Sequence, residues 1–331
     1  MVIMAYKIER NISKQVSNRY IVSLAISDLI IGIEGFPLFT IYFLNGDRWP
    51  LGSITCETWL FLDYTLCLVS ILTVLLITAD RYLSVCHTAK YLKWQSPTKT
   101  QVMIILSWLI PAVVFGIMIY GWKAMTGEAD SMRGYECSAP FLANPYVNMG
   151  MYVSYYWTTL VAMLILYKGI HQAAKNLEDK AKAKERRHIA LILSQRLGTQ
   201  VGVSLMLQQD KEREKKMELE GAEADTRDSA YATQTTAIRR KQTKAEKRAH
   251  KAFRTITFIV GCFAILWSPY YVMATIYGFC KGECIPSLLY TLSYYMCYLN
   301  SSGNPFAYAL ANRQFRSAFM RMLKGDFNPR R

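Results

Sequence analysis

The sequence predicts an all-α fold: a seven-transmembrane helix bundle, its first helix mostly missing, with a short amphipathic helix after the last span. Three observations predict it. Hydrophobic residues make up 52% of the chain and charged residues only 19%. The apolar residues fall in long blocks, each close to the roughly 20 residues a helix needs to cross the hydrocarbon core of a bilayer. The basic residues between the blocks alternate in density from one side to the other. A chain of 331 residues could hold two soluble domains, but six such blocks in a row with charged loops between them do not suit soluble cores.

The blocks lie near 20–44, 60–86, 102–122, 146–167, 255–279 and 286–310 and give six spans. Met1 to Tyr6 read as the stub of another, so about two-thirds of a first helix is expected to be absent. This opening stretch is too short for a cleavable signal peptide. The expected organisation is a first-helix remnant with helices two to five over 1–167, a third loop over 168–249, helices six and seven over 250–310, and an amphipathic helix and tail over 311–331. The loop should be largely disordered with helical flanks, because Lys211 to Lys216 is a dense charge run and Arg239, Arg240 and Lys241 close a polar, Ser/Thr/Ala-rich stretch.

The net charge of +15 does not indicate nucleic acid, because it tracks the loops. Segments 7–19, 81–99, 168–254 and 311–331 carry 35 of the 39 Lys and Arg residues. The opposite loops carry only Arg48, Lys123, Arg133 and Lys281. The positive-inside rule then puts the carboxyl terminus in the cytoplasm. Of eight cysteines, Cys56, Cys137, Cys280 and Cys284 fall on the basic-poor, oxidising side, where disulfides persist. Sequence does not fix the pairing. The expected pairs are Cys56–Cys137 and Cys280–Cys284. Cys67, Cys86, Cys262 and Cys297 sit in or near spans and suit small buried hydrophobes.

Acids inside a membrane are costly and point to function. Asp63 and Asp80 are 17 residues apart, which is about 25 Å along a helix and most of the hydrocarbon thickness. Asp80 with Arg81 therefore belongs at the inner edge and Asp63 near the outer edge. Asp63 has no basic partner in any span, and a cation arriving from outside is the economical way to keep its charge. The other resolution is a carboxyl satisfied by tyrosine hydroxyls and water. Asp28 lies at mid-depth. Ser70 shares the helical face of Asp63, and with Asn300, Ser301 and Asn304 it offers enough oxygen ligands around Asp28 for a sodium ion. A water-filled polar cluster is the alternative. Glu34 is a further acid above Asp28.

Asp80-Arg81-Tyr82 ends the third helix, Trp108 lies in the fourth, Phe263-x-x-x-Trp267-x-Pro269 in the sixth and Asn304-Pro305-x-x-Tyr308 in the seventh; Phe315 follows. In this order and spacing they resemble the rhodopsin-like (class A) G-protein-coupled receptors over the whole chain except 168–254. Leu62-Asp63-Tyr64, Trp267-x-Pro269-Tyr270, Tyr294-x-x-Cys297-Tyr298-x-Asn300-Ser301 and the surroundings of Asp28 are similar to the muscarinic acetylcholine receptors, of which this is a divergent member. The resemblance implies acetylcholine bound at Asp63 within a site of Tyr64, Cys67, Trp267, Tyr270, Tyr271, Tyr294 and Tyr298. A quaternary ammonium has no N–H to donate and needs a negative charge and aromatic faces. The resemblance also implies activation through Asp80, Arg81, Tyr82, Tyr167, Phe263, Pro269, Pro305 and Tyr308. Its partner would be a heterotrimeric G protein, of the inhibitory type by preference. The implied location is the plasma membrane, at neurons or synapses.

Several positions depart from that pattern. Tyr271 stands where the family has an ester-binding asparagine, Asn148 and Met151 stand for two threonines, and Thr159 stands for a proline. Alternatives are another biogenic amine as ligand, or a truncated non-signalling isoform acting on a full-length partner. No catalytic dyad, phosphate loop or metal motif is visible, so neither an enzyme nor a cofactor, beyond an allosteric sodium ion, is expected.

Overall fold

The computed structural model describes residues 1–127, 132–133, 135–197, 244–280 and 284–328. The middle of the third loop, 198–243, lies outside the described residues, as does the disorder expected there. Two compact units are present: Met1–His171 with Lys251–Arg331, and Gln172–His250.

The first unit holds the bundle. Short helices α1 (Val2–Ile8) and α2 (Arg10–Ser13) precede α3 (Asn18–Leu44). A π-helical turn at Ile31–Gly35 interrupts α3. Helix α4 (Ser53–Cys86) is followed by short α5 (Thr88–Trp94), α6 (Pro97–Tyr120) and short α7 (Trp122–Thr126). Strands β1 (Met132–Arg133) and β2 (Glu136–Cys137) pair antiparallel, Met132 opposite Cys137. Helix α8 begins as Pro145–Tyr152, passes through a π-helical turn at Val153–Trp157 and continues over Thr158–Leu197. Then come α9 (Lys244–Cys280), α10 (Ser287–Ala311) and α11 (Arg313–Leu323).

Among the described residues, five helical stretches are long and apolar enough to cross a membrane: Asn18–Leu44, Ser53–Cys86, Pro97–Tyr120, Pro145–Leu191 and Ala252–Ile276. The sixth expected span forms as α10, but Ser293, Asn300, Ser301 and Asn304 make it more polar than the others. It buries those groups rather than showing them to lipid: Asn300 is 1% and Asn304 2% exposed. The fifth helix also differs from the sequence reading. Its helical extension runs to Leu197, deep into the 168–249 stretch expected to be largely disordered. In the second unit, Glu178 pairs with Lys182 one turn on, at 2.7 Å, and with His250 at 3.8 Å.

Helix α4 is the central strut. Within its most apolar window 67% is buried, against 22% for α6, whose Ile105, Leu109, Val113 and Ile117 face outward. That asymmetry suits a bilayer, where outward apolar side chains carry no cost. At 34 residues α4 is about 50 Å long, so it spans the bundle from end to end. Cys56 at its start is bonded to Cys137, which ties β2 and the following segment over the end of the bundle. Phe141 is fully buried there and packs edge-on against Tyr64 of α4, ring centroids 5.2 Å apart. Trp49 stacks on Trp59 at 4.8 Å, and its backbone N–H donates to the Tyr135 carbonyl. Cys280 and Cys284 form the second disulfide, between α9 and α10.

After α10, Asn312 caps α11 by accepting from the Gln314 N–H at 3.1 Å. Helix α11 buries Phe315, Ala318, Phe319 and Met322, a spacing of three and four residues that lays one face on the bundle. Arg321 on the same helix is an anchor: it pairs with Glu9, which follows α1, and with Asp326.

Candidate functional site

Asp63 lies on α4 near the end that carries the disulfides and is 3% exposed. Two phenols from α10 hold its carboxylate. Tyr294 donates to Oδ2 at 2.7 Å and Tyr298 to Oδ1 at 3.0 Å. The two tyrosines are four residues apart and share a helical face, which is why both reach one carboxylate. No Lys, Arg or His pairs with Asp63 among the described residues. Hydroxyl donors stabilise the charged form without cancelling its charge.

A narrow cavity of about 20 Å³ opens beside this carboxylate. Its walls include all eight of the ligand-binding residues expected from sequence: Asp63, Tyr64 and Cys67 from α4, Trp267, Tyr270 and Tyr271 from α9, and Tyr294 and Tyr298 from α10. Tyr155 and Cys297 also line it and were missed as site residues. Cys297 reads as an ordinary buried thiol in sequence. Tyr155 is one of several tyrosines on α8, and the π-helical turn at Val153–Trp157 that carries it has no sequence marker.

The aromatic walls brace one another. Tyr270 meets Tyr294 edge-on at 5.0 Å, Trp267 stacks on Phe263 at 5.2 Å, and Tyr271 stacks on Tyr156 at 3.9 Å. Tyr156 is locked in turn by its 2.8 Å hydrogen bond with Ser268. Asn148, at a position where the resemblance places a threonine, is turned away: it is buried and its amide donates to the Ala274 carbonyl at 3.4 Å. Ser154 is likewise spent on the Met151 carbonyl, at 2.8 Å.

Gly35 is a positional requirement that sequence reading passed over. A Cβ there would stand 2.9 Å from Tyr298 Cε1 and 3.2 Å from Asp63 Oδ1. The π-helical turn ending at Gly35 thus brings the α3 backbone against the carboxylate and its phenol donor. Glu34, in the same turn, has both carboxylate oxygens buried with no hydrogen-bond partner among the described residues.

A second buried acid lies deeper. Asp28 of α3 accepts at Oδ2 from the Asn304 amide at 2.8 Å, while Oδ1 has no partner among the described residues. Asn300 Oδ1 is also buried without one. Ser70 is buried on α4, its hydroxyl 3.0 Å from that of Ser27, the residue before Asp28. Asp28, Ser301 and Asn304 line a groove of about 570 Å³ that α1, α3 and α10 share.

At the other end of α4, Asp80 Oδ1 accepts from the Tyr91 hydroxyl at 2.8 Å and from Gln95 at 3.3 Å. Burial, reinforced by the charge of Asp80, pushes the Tyr91 phenol up. No ion pair of Arg81 is present among the described residues. Tyr82 packs so closely on Gly169 that a Cβ there would lie 2.5 Å from its ring. Tyr167 stacks on Phe253 at 5.4 Å and its hydroxyl is 3.4 Å from that of Thr257. Tyr308 is 1% exposed and packs on Phe315 at 5.9 Å. Pro269 and Pro305 lie inside α9 and α10, where each removes a backbone donor from the helix.

Residues 1–308 match the family described as 7 transmembrane receptor (rhodopsin family). The chain belongs to that family, on its muscarinic branch. The receptor is 41% identical to the probable muscarinic acetylcholine receptor gar-1 of Caenorhabditis elegans, an alignment covering 99% of this chain and 94% of that protein. It is 47% identical to the muscarinic acetylcholine receptor gar-2 of the same organism over 59% of this chain and 31% of the relative. It is 28% identical to the human muscarinic acetylcholine receptor M1, over 100% of this chain and 86% of that one. The receptor is therefore a multi-pass membrane protein, and its family is one of receptors and not of enzymes.

Proposed function

We propose that this receptor binds acetylcholine at Asp63 and passes the signal to a heterotrimeric G protein at the plasma membrane. The observation that carries the reading is a carboxylate with no Lys, Arg or His partner among the described residues, held by two phenols at the edge of an aromatic cavity. A quaternary ammonium fits there on three counts. It brings the missing positive charge, it needs no hydrogen-bond acceptor, and it is attracted by the faces of aromatic rings. The muscarinic names of the relatives support the same ligand.

The ammonium takes the Asp63, Tyr294 and Tyr298 end of the cavity. The ester end then reaches toward Tyr155 and Tyr271, whose hydroxyls replace the amide of the family pattern. A catecholamine is disfavoured, because the Ser154 hydroxyl on α8 is exposed and bonded to its own helix. Agonist contact with Tyr270 and Trp267 bears on α9 just where Pro269 weakens it. A swing of the Asp80 end of α9 would open a cavity for the G protein beside Arg81, Tyr167 and Tyr308. The agonist biases this equilibrium only by its preference for the open form. An inhibitory-type G protein is the preferred partner, with the carboxyl terminus cytoplasmic and a neuronal or synaptic site of action.

Asp28, Ser70, Asn300, Ser301 and Asn304 fit a small hard cation, since Asp28 Oδ1 and Asn300 Oδ1 are buried acceptors with no hydrogen-bond partner among the described residues. Sodium held there would stabilise the resting form. The test of the main reading is an agonist panel in cells carrying different G-protein α subunits. Acetylcholine is expected to act at concentrations at least tenfold below those of dopamine, serotonin, octopamine and histamine. A lower effective concentration for any of these would replace acetylcholine as the ligand.

A further inference from the structure

We propose that Cys67 and Cys297 make the amine cavity a site of covalent thiol modification by cationic, sulfur-electrophilic ligands. The proposal rests on the reading of Asp63 as a cation anchor. Both thiols are unbonded, and both line the same cavity as Asp63 although they come from different helices. Cys67 follows Asp63 by four residues on α4, which places their Cβ atoms roughly 5–6 Å apart. Cys297 lies between Tyr294 and Tyr298, the two phenols that hold Asp63. The other free cysteines are built-in controls. Cys86 sits at the far end of α4 with its thiol against the Gly169 carbonyl at 3.7 Å, and neither Cys86 nor Cys262 lines the cavity.

The chemistry follows from this placement. A thiolate is the attacking species, and beside the Asp63 carboxylate it is repelled. A bound ammonium cancels that repulsion and holds the electrophile within reach, so the reaction becomes effectively intramolecular. With 2-(trimethylammonium)ethyl methanethiosulfonate, the thiol proton passes to water and the cysteine sulfur attacks the sulfenyl sulfur of the reagent. The new S–S bond forms as the bond to the sulfonyl sulfur breaks, and methanesulfinate leaves with the electron pair. No other oxidant is needed. The product leaves a permanent quaternary ammonium in the cavity and blocks it.

The experiment uses the full chain in cell membranes and compares the cationic reagent with the anionic 2-sulfonatoethyl analogue. Labelling is read by peptide mass, and site occupancy by binding of a tritiated quaternary ammonium antagonist. The cationic reagent should label Cys67 or Cys297 at least tenfold faster than the anionic one, and tetramethylammonium should slow it. Asp63→Asn should bring the cationic rate down to the anionic rate, and in Cys67→Ala/Cys297→Ala the reagent should remove no antagonist binding relative to that variant's own untreated level. If that double variant does not reach the surface, the peptide masses of the unmodified chain still decide. Equal rates for the two reagents, label confined to Cys86 and Cys262, or binding loss persisting in the double variant would overturn the proposal. Intact antagonist binding with unlabelled cavity thiols would sink this inference alone, whereas absent antagonist binding would sink the acetylcholine reading.

Discussion

Asp63 and Asp28 are both buried acids with no ion pair among the described residues, yet their surroundings differ in kind. Aromatic rings and two phenol donors surround Asp63, with open space beside it. Asp28 sits among short polar side chains, with one oxygen bonded to Asn304 and no direct partner on the other among the described residues. Rings and a cavity suit a large, weakly hydrated cation, while small oxygen ligands suit a compact one that exchanges its water shell for them. The same charge on two helices can thus be given two different visitors by the neighbours alone.

The largest way to break this comparison is Asp63→Asn. Removing the charge should weaken acetylcholine at least a hundredfold, read as agonist concentration–response and as competition against a labelled quaternary antagonist. Unchanged affinity would show that the cavity binds by shape alone. Tyr298→Phe sharpens the picture. It removes one hydrogen bond to the carboxylate and keeps the ring, so affinity should fall roughly ten- to a hundredfold, in line with about 1.5–3 kcal/mol for a bond to a charged group. Tyr295→Phe, whose hydroxyl is 3.1 Å from Thr40 and not from Asp63, should leave affinity within about twofold and serves as the control.

How these residues were and were not legible in the sequence has a physical basis. A bilayer demands long apolar helices with every backbone group satisfied, so the spans show as blocks. It also makes a lone acid expensive, so Asp63 and Asp28 stand out. Nothing comparable marks Tyr155 or Cys297, which reach the cavity because helices cross and α8 carries a π-helical turn. Gly35 escapes for the same reason: its requirement is a close approach between helices and leaves no trace in local pattern. Ser70 shares the right face, but its bond with Ser27 is set by side-chain geometry that no sequence pattern carries. The extension of α8 to Leu197 is highly charged up to His188, and no apolar block of membrane-spanning length announces where it stops.

Gly35 supplies the next test. Gly35→Ala should reduce acetylcholine affinity several-fold by pushing on the Tyr298 ring, whereas Gly32→Ala, which meets nothing within 4 Å, should not change it. Equal effects of the two would place the requirement in helix propensity and not in the site. The smallest expected effect belongs to the other acid. Asp28→Asn should retain acetylcholine binding at the Asp63 site and abolish a two- to fivefold weakening of agonist affinity when sodium replaces a large organic cation in the buffer. Sodium dependence that survives the substitution would remove Asp28 from the ion site.

The claim that charge, and not shape, selects the ligand is tested most directly by comparing acetylcholine with its uncharged carbon isostere, 3,3-dimethylbutyl acetate, in competition against one labelled antagonist. The two fill almost the same volume. The receptor should bind acetylcholine at least a hundredfold more tightly, and Asp63→Asn should shrink that ratio to within about fivefold. Equal affinity of the two compounds for the unmodified receptor would contradict the account.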